Sequence, residues 1–326
     1  LDKVNRISRI SEFICSQLDW GFKPSVHRTA CLSKSDLVTQ MVIEMPALQG
    51  IMGGFYAEKM GESPDVVAGI KGHYYPRFDG DRLPVSDSEI AVGLADRLDT
   101  IVACFENKMI PTGSKDPWGL RRSMIAITRI IINSGLTLDL SAVIDFVYET
   151  LGVQSEQRQA LDVFFQQRVT WVFQDLGLPY DIVESTAVRA LKSPYSAYLQ
   201  GKELSAFRDA QLMAFKSIVD TGVRIKRLLN GDDFKAVNPS LFLESAETES
   251  WQLYETVSSL IQAHIDSNDY KGAIQQLDHL SSALGRYFDE ILVMDKDTKI
   301  KENRLAFLST LDRLYAQIAD FEKIVV

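Results

Sequence analysis

The sequence predicts an all-α protein, and three observations lead to this prediction. Apolar residues recur every three or four positions in nearly every window of the 326-residue chain, as on one face of an amphipathic helix. A strict alternation of apolar and polar residues, which would indicate a strand, never lasts for long. The breaks between the periodic segments contain glycine, proline, asparagine or aspartate, which are the residues that punctuate helices.

Five helices are predicted in the first third of the chain. The first is indicated by an apolar stripe of Val4, Ile7, Ile10, Ile14 and Leu18. Four more are predicted at residues 32–44, 53–60, 64–75 and 88–106. The segment PRFDGDRLP separates the last two, because two prolines and a glycine interrupt the helical period.

A polar lead-in, IPTGSKDPWG, precedes the next helix. We expect Asp116 to accept a hydrogen bond from an amide of the first turn, and Pro117 to occupy the first helical position, where a missing N–H costs nothing. The turn Gly113–Ser114–Lys115 lacks the second glycine and the preceding strand of a phosphate-binding loop, so we interpret it as a plain turn. The stripe predicted to be buried in this helix consists of Leu120, Met124, Ile127 and Ile131.

The rest of the chain predicts further helices and two domain boundaries. Breaks at NSGLTLD, LGLPYD and KSPYS divide the helices up to about residue 204. Beyond this point the sequence predicts a pair of helices at residues 249–265 and 270–291, and a final helix at 302–323. We therefore predict three helical domains, which cover residues 1–112, 113–204 (a connecting domain) and 205–326.

Composition excludes several classes of protein. A net charge of −9 excludes a uniformly cationic coat for nucleic acid, although it allows a local basic stripe. The three cysteines are far apart and form no Cys-x-x-Cys motif, which argues against a zinc module and favours a reducing, cytoplasmic environment. No apolar run approaches the roughly 18 residues of a membrane span, so we expect no membrane partner. Since the chain begins at Leu1 inside a predicted helix, we expect it to be part of a longer polypeptide.

Basic side chains form three groups in this acidic chain. Arginine suits phosphate because its planar guanidinium can donate two parallel hydrogen bonds, and such groups attract RNA without regard to its sequence. Exposed arginines on a helix are more commonly a solvated face, and no Tyr or Trp is obviously interleaved with them for stacking on bases. The candidates are Lys115, Arg121, Arg122 and Arg129 in the first group, Arg224, Lys226 and Arg227 in the second, and Lys296, Lys299, Lys301 and Arg304 in the third.

No clear signature of catalysis or of metal binding is present. The four histidines are scattered along the chain, and there is no nucleophile motif such as Gly-x-Ser-x-Gly. Asp36, Asp96 and Asp99 fall on predicted helices. Paired carboxylates on helices can hold a metal, but they more commonly serve as caps and ion-pair partners.

Six segments in a fixed order carry a further signal: VIEMPALQGIMGGFYAEKMGE, HYYPRFDGDRLP, VGLADRLDTIVACF, IPTGSKDPWGLRRSMIAITRIII, RYFDEILVM and ENRLAFLSTL. In this combination they resemble the beta subunit of bacterial heterotetrameric glycyl-tRNA synthetase. The resemblance covers essentially the whole chain and corresponds to the C-terminal half of that subunit.

The resemblance implies a subunit of an enzyme that works with a partner. In this family two alpha and two beta subunits form the enzyme, the alpha subunit makes glycyl-adenylate with ATP and Mg²⁺, and the beta subunit supplies recognition of tRNA-Gly. In agreement, the sequence contains no HIGH or KMSKS motif and no class II signature. The resemblance therefore implies a tRNA-binding part with neither an aminoacylation site nor a cofactor of its own.

The first domain resembles a degenerate HD-type domain. Working HD phosphohydrolases bind metal through a His-Asp pair and further His and Asp residues. Here the pair appears as Ser35–Asp36, and Asp96 matches the last ligand position. Since the imidazole is lost, we expect these residues to serve packing and capping and to bind no metal.

The last domain resembles the DALR anticodon-binding domain of arginyl- and cysteinyl-tRNA synthetases. Arg224 matches the basic position in the first helix of that domain, and Asn303 and Arg304 match the NRL run that opens its last helix. The resemblance implies contacts between such residues and tRNA. The candidates for tRNA binding in this domain are Arg224, Lys226, Arg227, Lys301, Asn303 and Arg304.

Two alternative functions stay open at this point. One is an HD-type, metal-dependent nucleotide phosphohydrolase with an appended helical tail, which predicts bound divalent metal and phosphatase turnover. The other is a helical scaffold whose role is to hold the alpha subunit.

Overall fold

The computed structural model describes residues 1–113, 115–154, 156–230, 234 and 236–326. Within these residues the regular elements are helices, which confirms the predicted all-α class. The structure divides into two compact units, Leu1–Val172 with Arg189–Tyr195 and Phe173–Val188 with Ser196–Val326. No helix among the described residues is long and apolar enough to cross a membrane.

The first unit contains eight complete helices and most of a ninth within its described residues. These helices are α1 (Asp2–Gln17), α2 (Pro24–Leu32), α3 (Gln40–Glu44), α4 (Ile51–Lys59), α5 (Pro64–Gly72), α6 (Asp87–Glu106), α7 (Leu120–Asn133), α8 (Leu140–Leu151) and α9 (Arg158–Asp175). Two short 3₁₀ helices, Ser35–Val38 and Pro46–Leu48, connect α2, α3 and α4.

Helix α6 forms the centre of the first unit. It begins with a capping box, in which the Ser86 hydroxyl accepts a hydrogen bond from the Glu89 amide and the Glu89 carboxylate accepts one from the Ser86 amide. Each residue from Ile90 to Ala95 is buried, because α1, α2, α5, α7 and α8 pack around this helix. A helix covered on several sides needs apolar or small residues nearly all round, and α6 has them.

Arg97 on α6 fastens the chain segment that follows α5. Its guanidinium donates to the carbonyl oxygens of His73, Tyr74 and Tyr75 at 2.9, 2.8 and 2.9 Å, and it also reaches those of Gly93 and Pro76. Burial lowers the pKa of Arg97 to about 10, so the side chain is still charged at neutral pH. These carbonyl groups replace the water that the buried cation has lost.

The second unit is a helical bundle around an aromatic core. Its helices are α10 (Tyr180–Thr186), most of α11 (Pro194–Ala210), α12 (Leu212–Leu229), α13 (Ser245–Asp266), α14 (Tyr270–Glu290) and α15 (Thr298–Tyr315). Helices α14 and α15 both pack on α12. Their buried side chains include Phe215, Tyr287, Phe307 and Tyr315.

Helices α13 and α14 form an antiparallel pair, as predicted. The turn between them contains Asn268 with a φ of 57°, a left-handed conformation that asparagine tolerates better than most residues. The carboxylate of Asp269 then accepts a hydrogen bond of 3.0 Å from the Gly272 amide and caps α14. The short polar turn thus lets the two long helices pack against each other in opposite directions.

The structure forms two compact units where the sequence predicted three domains. Helices α7 and α8, which were assigned to a connecting domain, pack on α6 of the first unit. Helix α10, from the same predicted domain, belongs to the second unit. Breaks in the helical period mark turns, and a turn does not show which neighbours a helix packs against. The assignment of the segments to HD-type, connecting and DALR-like domains stays a prediction.

The predicted helix at residues 32–44 was wrong. The chain there forms the end of α2, the 3₁₀ helix Ser35–Val38 and the short α3. The reason is Asp36, whose Oδ2 accepts hydrogen bonds from the amides of Gly50 and Gly53 at 2.7 and 3.0 Å. Asp36 thereby caps the first turn of α4, although it lies 14 residues before Gly50 in the sequence. The chain at Asp36 must turn for its carboxylate to reach these amides, so it does not continue as a helix. The capping role expected for Asp36 is confirmed.

The start of α7 was predicted correctly in part. Asp116 accepts hydrogen bonds from the amides of Leu120 and Arg121 at 2.8 and 3.0 Å, as expected for a cap. Pro117, however, lies before the helix, because Gly119 in a left-handed conformation is the residue from which the helix begins. The predicted buried stripe is confirmed, since Leu120, Met124, Ile127 and Ile131 are fully buried.

A test of the second unit is the replacement of Arg304 by methionine. Arg304 is 4% exposed and is bound to the buried carboxylate of Glu247 at 2.8 Å. Removal of the guanidinium leaves Glu247 buried without its counter-charge, so we expect the unit to lose roughly 3–5 kcal/mol of unfolding free energy. Urea unfolding measures this loss, and hydrogen exchange of the α13 and α15 amides locates it in the second unit.

The matched control is Arg286→Met. Arg286 pairs with Glu249 and Glu290 on the exposed surface of the same unit, where solvent screens ion pairs and they contribute little to stability. Equal losses in the two variants would contradict the structural role assigned to Arg304.

Candidate nucleic-acid interface

At the residues that were compared above with an HD-type site, the ammonium of Lys34 lies against the carboxylate of Asp96. Lys34 Nζ donates to Asp96 Oδ2 at 2.7 Å, and it lies 3.0 Å from both His73 Nε2 and the Tyr74 hydroxyl. It also lies 4.1 Å from the centroid of the Tyr74 ring, within the range of a cation–π contact. The protein thus supplies its own cation to this site.

Asp96 is held as a carboxylate by two lysines. Lys3 Nζ lies 2.9 Å from its Oδ1, opposite Lys34. Burial alone would raise the pKa of Asp96, but the two ammonium groups outweigh this effect and hold the pKa well below its usual range. Burial lowers the pKa of Lys34, and the adjacent carboxylate of Asp96 opposes that shift.

His73 is a buried, neutral imidazole. Burial, together with the charge of Lys34, lowers the pKa of His73 to about 3. Its Nδ1 lies 2.9 Å from the Ile70 carbonyl oxygen, to which it donates, so Nε2 is free to accept from Lys34. Helical periodicity does not place His73 beside Asp96, because the two residues lie on different helical segments.

The residues of this site do not fit the metal of an HD phosphohydrolase. Ser35, at the position of the missing imidazole, is exposed and donates to the Leu32 carbonyl oxygen. Asp36 is engaged by backbone amides, and an ammonium already lies on Asp96 and would repel a dication. Within the described residues no three His, Cys, Asp or Glu side chains converge on one point. The geometry therefore disfavours the phosphohydrolase alternative.

The lead-in to α7 exposes three of the predicted basic residues. Lys115 and Arg122 are exposed and Arg121 is half-buried. The guanidinium of Arg121 donates to the Gly113 carbonyl oxygen at 2.7 Å, which holds it beside the turn. In the part of the chain that the structure describes, none of the three forms an ion pair with a carboxylate. Ser114, the middle residue of the turn, lies outside the described residues.

A recess of about 590 Å³ lies beside these residues, between the segment 76–83, α7 and α9. We call it the α7 recess. Its walls include two aromatic side chains that remain open to solvent, Phe78 (57% exposed) and Trp171 (45% exposed). Arg121, Arg122 and Arg129 also line it. The sequence suggested no aromatic partner for this basic group, and the fold supplies two.

Arg129 was predicted to be an exposed basic side chain, but the structure shows it paired and half-buried. It is half-buried, and its guanidinium lies 2.9 Å from the Asp79 carboxylate. It also lies over the ring of Trp171, 5.7 Å from the centroid. The segment 76–83 brings Asp79 to this side chain, so Arg129 orders the wall of the recess and is not a free cation.

Arg168 on α9 is a basic neighbour that sequence reasoning missed. Its guanidinium lies over the Phe164 ring, 3.9 Å from the centroid, and donates to the Phe164 carbonyl oxygen. Burial, and then the charge of Arg121, lower the pKa of Arg168. Arg121 and Arg168 therefore add to one positive region of the first unit, although they lie on different helices.

The second unit has exposed basic side chains of its own. Arg224 and Arg227 on α12 are exposed, and Lys301 on α15 is half-buried. Arg224 lies 4.4 Å from the centroid of the Phe288 ring and donates to the Phe288 carbonyl oxygen at 3.3 Å. Lys296 and Lys299, just before and at the start of α15, are exposed as well.

Lys226 is largely committed to neighbouring acidic side chains. Its ammonium lies 2.9 Å from Asp320 and 3.2 Å from Glu322. A phosphate group would have to compete with these two carboxylates. Lys226 is therefore a weaker candidate for nucleic-acid contact than Arg224 or Arg227.

Asn303 and Arg304 were predicted to contact tRNA, but neither side chain lies on the surface. Both are buried, at 6% and 4% exposure. Arg304 binds Glu247 and Asp295, each at 2.8 Å, and Asn303 exchanges hydrogen bonds with the backbone of Asn238. The NRL run holds the second unit together, because its polar groups find their partners inside the fold and do not reach solvent.

A sequence signal could have identified Trp171 but not Lys34. In α9 the buried side chains Phe165, Val169 and Val172 form one stripe, and Trp171 lies off it, which marks an exposed tryptophan. Lys34 lies beside a polar pair in an irregular stretch, and no period indicates that its side chain turns inward.

Comparison with known proteins adds an independent result. The sequence profile of the family described as "Glycyl-tRNA synthetase beta subunit" matches residues 1–188. Curated relatives named "Glycine--tRNA ligase beta subunit" match nearly the whole chain. They include proteins of Moorella thermoacetica (36% identical over 336 residues, 100% of this chain and 48% of the relative), Aromatoleum aromaticum (36% over 332 residues, 99% and 47%) and Halalkalibacterium halodurans (34% over 334 residues, 99% and 48%). The chain thus spans about half the length of these relatives.

The replacement of Lys34 by methionine tests the ion pair in the first unit. Asp96 would keep only Lys3 as a counter-charge, so we expect a loss of roughly 2–4 kcal/mol of unfolding free energy, somewhat less than for a fully buried pair. Hydrogen exchange of α5 and α6 amides measures it. Lys59→Met, at an exposed site of the same unit, is the control and should change stability by less than about 1 kcal/mol.

The buried imidazole of His73 predicts a dependence of stability on pH. A folded pKa near 3, against about 6.5 in the unfolded chain, means that unfolding takes up a proton below pH 6.5. The stability that the neutral imidazole of His73 contributes is fully present above pH 6.5 and is lost as the pH falls toward 3. Lowering the pH from 7 to 5 should therefore reduce the unfolding free energy by about 2 kcal/mol.

The His73→Gln variant should lack this part of the pH dependence, and His279→Gln, at an exposed site, should keep it. Unfolding free energies of the first unit at pH 7 and pH 5, measured by hydrogen exchange, give the comparison. An unchanged pH dependence in His73→Gln would show that this imidazole is not the group that titrates.

Proposed function

Because the chain belongs to the family of glycyl-tRNA synthetase beta subunits, we propose that it is a tRNA-binding part of a glycine–tRNA ligase. In this proposal it supports the ATP-dependent attachment of glycine to tRNA-Gly and does not form the bond itself. Its partners are tRNA-Gly and an alpha subunit, in an assembly of two alpha and two beta subunits. The site of action is the cytoplasm, where translation takes place.

The division of labour is supported by the chemistry of the described side chains. The HD-type site holds a lysine in contact with its acidic residue, and its histidine is neutral and buried. Such a site offers no metal-bound water and no poised base. We propose that activation of glycine, with its ATP and Mg²⁺, takes place on the alpha subunit, and that this chain needs no cofactor.

One observation carries the proposal of RNA binding. Lys115, Arg121 and Arg122 lie together at the start of α7, and none of them has a carboxylate partner among the described residues. Other cations of the first unit, such as Lys34 and Arg129, are already paired. Unpaired cations on an otherwise acidic protein attract a polyanion locally, by release of its counterions, while the net charge limits binding elsewhere.

We propose that Arg224, Arg227 and Lys301 on the second unit also contact RNA. These side chains reach solvent on α12 and α15. We propose that this unit contacts the anticodon arm, in keeping with the resemblance of its helices to an anticodon-binding domain. In this proposal the buried side chains of Asn303 and Arg304 stabilise the fold of the second unit and do not touch RNA.

The variant Arg122→Gln tests the proposal. Loss of one phosphate contact should lower the affinity for tRNA-Gly and reduce the slope of log K against log salt by about one. Filter binding of a tRNA-Gly transcript at several salt concentrations measures both quantities. Lys115→Gln should act in the same direction.

The control is Lys59→Gln, which removes an exposed charge of the same unit away from the α7 lead-in. It should leave affinity and slope close to those of the unmodified chain. If Arg122→Gln and Lys115→Gln both bind as tightly as the control, with the same slope, the α7 lead-in is not an RNA contact.

A further inference from the structure

The α7 recess combines two features that a flat basic surface lacks. It is concave, with a volume within the range of about 300–1,000 Å³ found for sites that bind small organic groups. It also carries the side chains of Phe78 and Trp171, which are 57% and 45% exposed although large aromatic side chains are usually covered. Because the recess lies within the first unit, its shape does not depend on the second unit.

The acidic side chains of the recess already have hydrogen-bond or ion-pair partners. The carboxylate of Asp116 is engaged by the amides of Leu120 and Arg121. That of Asp79 is paired with Arg129. An anion that enters the recess therefore meets no free carboxylate at these two positions.

The third carboxylate, Asp81, is similarly engaged. It accepts hydrogen bonds from the amide and the Nε of Arg77 at 3.0 and 2.9 Å, and from the amide of Arg82 at 3.1 Å. The cations of Arg121 and Arg122 at the recess have no such counter-charge among the described residues. The recess is thus electrostatically suited to an anion that brings a flat apolar ring.

We propose that the α7 recess binds one unpaired nucleotide of RNA, with its base against Trp171 and Phe78 and its phosphate on Arg121 and Arg122. The inference rests on the proposed function and deepens it. A base inside a duplex cannot present its face to a side chain, so the nucleotide must come from a loop or an end of the RNA. Arg129, which lies over the Trp171 ring, positions that ring and does not bind the phosphate.

A peptide from a protein partner fits these observations less well. Arg121 and Arg122, which have no carboxylate partner among the described residues, favour a phosphate, to which arginine can donate in parallel. Stacking on an exposed aromatic face uses the flat surface that every base has, whatever its sequence. We therefore take RNA as the occupant and treat docking of a protein partner as an outcome that would overturn the proposal.

The experiment measures binding of a tRNA-Gly transcript to the 326-residue chain and to its Trp171→Ala and Phe78→Ala variants. Loss of one stacking face should weaken binding by roughly 5- to 100-fold. The slope of log K against log salt should stay unchanged, because no charge is removed. Trp171→Phe retains a stacking face and should restore most of the affinity.

The matched control is Phe55→Ala. Phe55 is 46% exposed and lies on α4 of the same unit, but it lines neither the recess nor the α7 lead-in. Its removal should leave the affinity unchanged. Since Trp171 and Phe55 are both partly exposed, at 45% and 46%, neither variant should unfold the chain, and circular dichroism checks this.

The outcomes separate this inference from the proposed function. If the unmodified chain binds tRNA but Trp171→Ala and Phe78→Ala bind as tightly as Phe55→Ala, the recess is not a nucleotide site, although the proposed function stands. If the unmodified chain does not bind tRNA, both proposals fail. Weaker co-purification of the alpha subunit with Trp171→Ala, at unchanged tRNA affinity, would identify a protein-docking site and overturn the inference.

Photocrosslinking gives direct support or contradiction. A tRNA-Gly transcript that carries 4-thiouridine at its unpaired positions should crosslink to peptides that contain Trp171 or Phe78. Crosslinks confined to other peptides, in a sample that binds normally, would overturn the assignment of the base to this recess.

Discussion

The fold depends on one constraint, which is that each charge taken out of water must find its opposite charge or a set of dipoles inside the protein. Arg97 meets it with backbone carbonyl groups around the end of α5. Lys34 meets it with Asp96 in the first unit, and Arg304 with Glu247 in the second. These contacts join helices that are distant in sequence, so they fix the packing as well as the charges.

The same constraint decides which basic residues can meet RNA. A cation that already has a carboxylate partner, such as Lys226, gains little from a phosphate. Lys115, Arg121 and Arg122 have no such partner in the described part of the chain, and they lie beside the α7 recess with its aromatic walls. The surface proposed for tRNA therefore consists of cations that, unlike Lys34 and Arg304, are not paired with a carboxylate among the described residues.

The two aspartates that resemble HD-type metal ligands have partners within the protein. Asp36 caps α4 through two backbone amides, and Asp96 holds an ammonium. These contacts give both carboxylates a structural role. This arrangement agrees with the proposal that bond formation takes place on another subunit.

The amino-acid sequence is enough to predict the helical class, the buried stripe of α7, the cap at Asp116 and the basic character of its first turn, because these follow from local period and residue type. It also carries the family resemblance. The packing of the helices is needed to see that Arg304 is buried, that Lys34 turns inward and that Trp171 lies beside the α7 arginines. These facts depend on contacts between distant segments, and neither period nor composition encodes which surfaces meet.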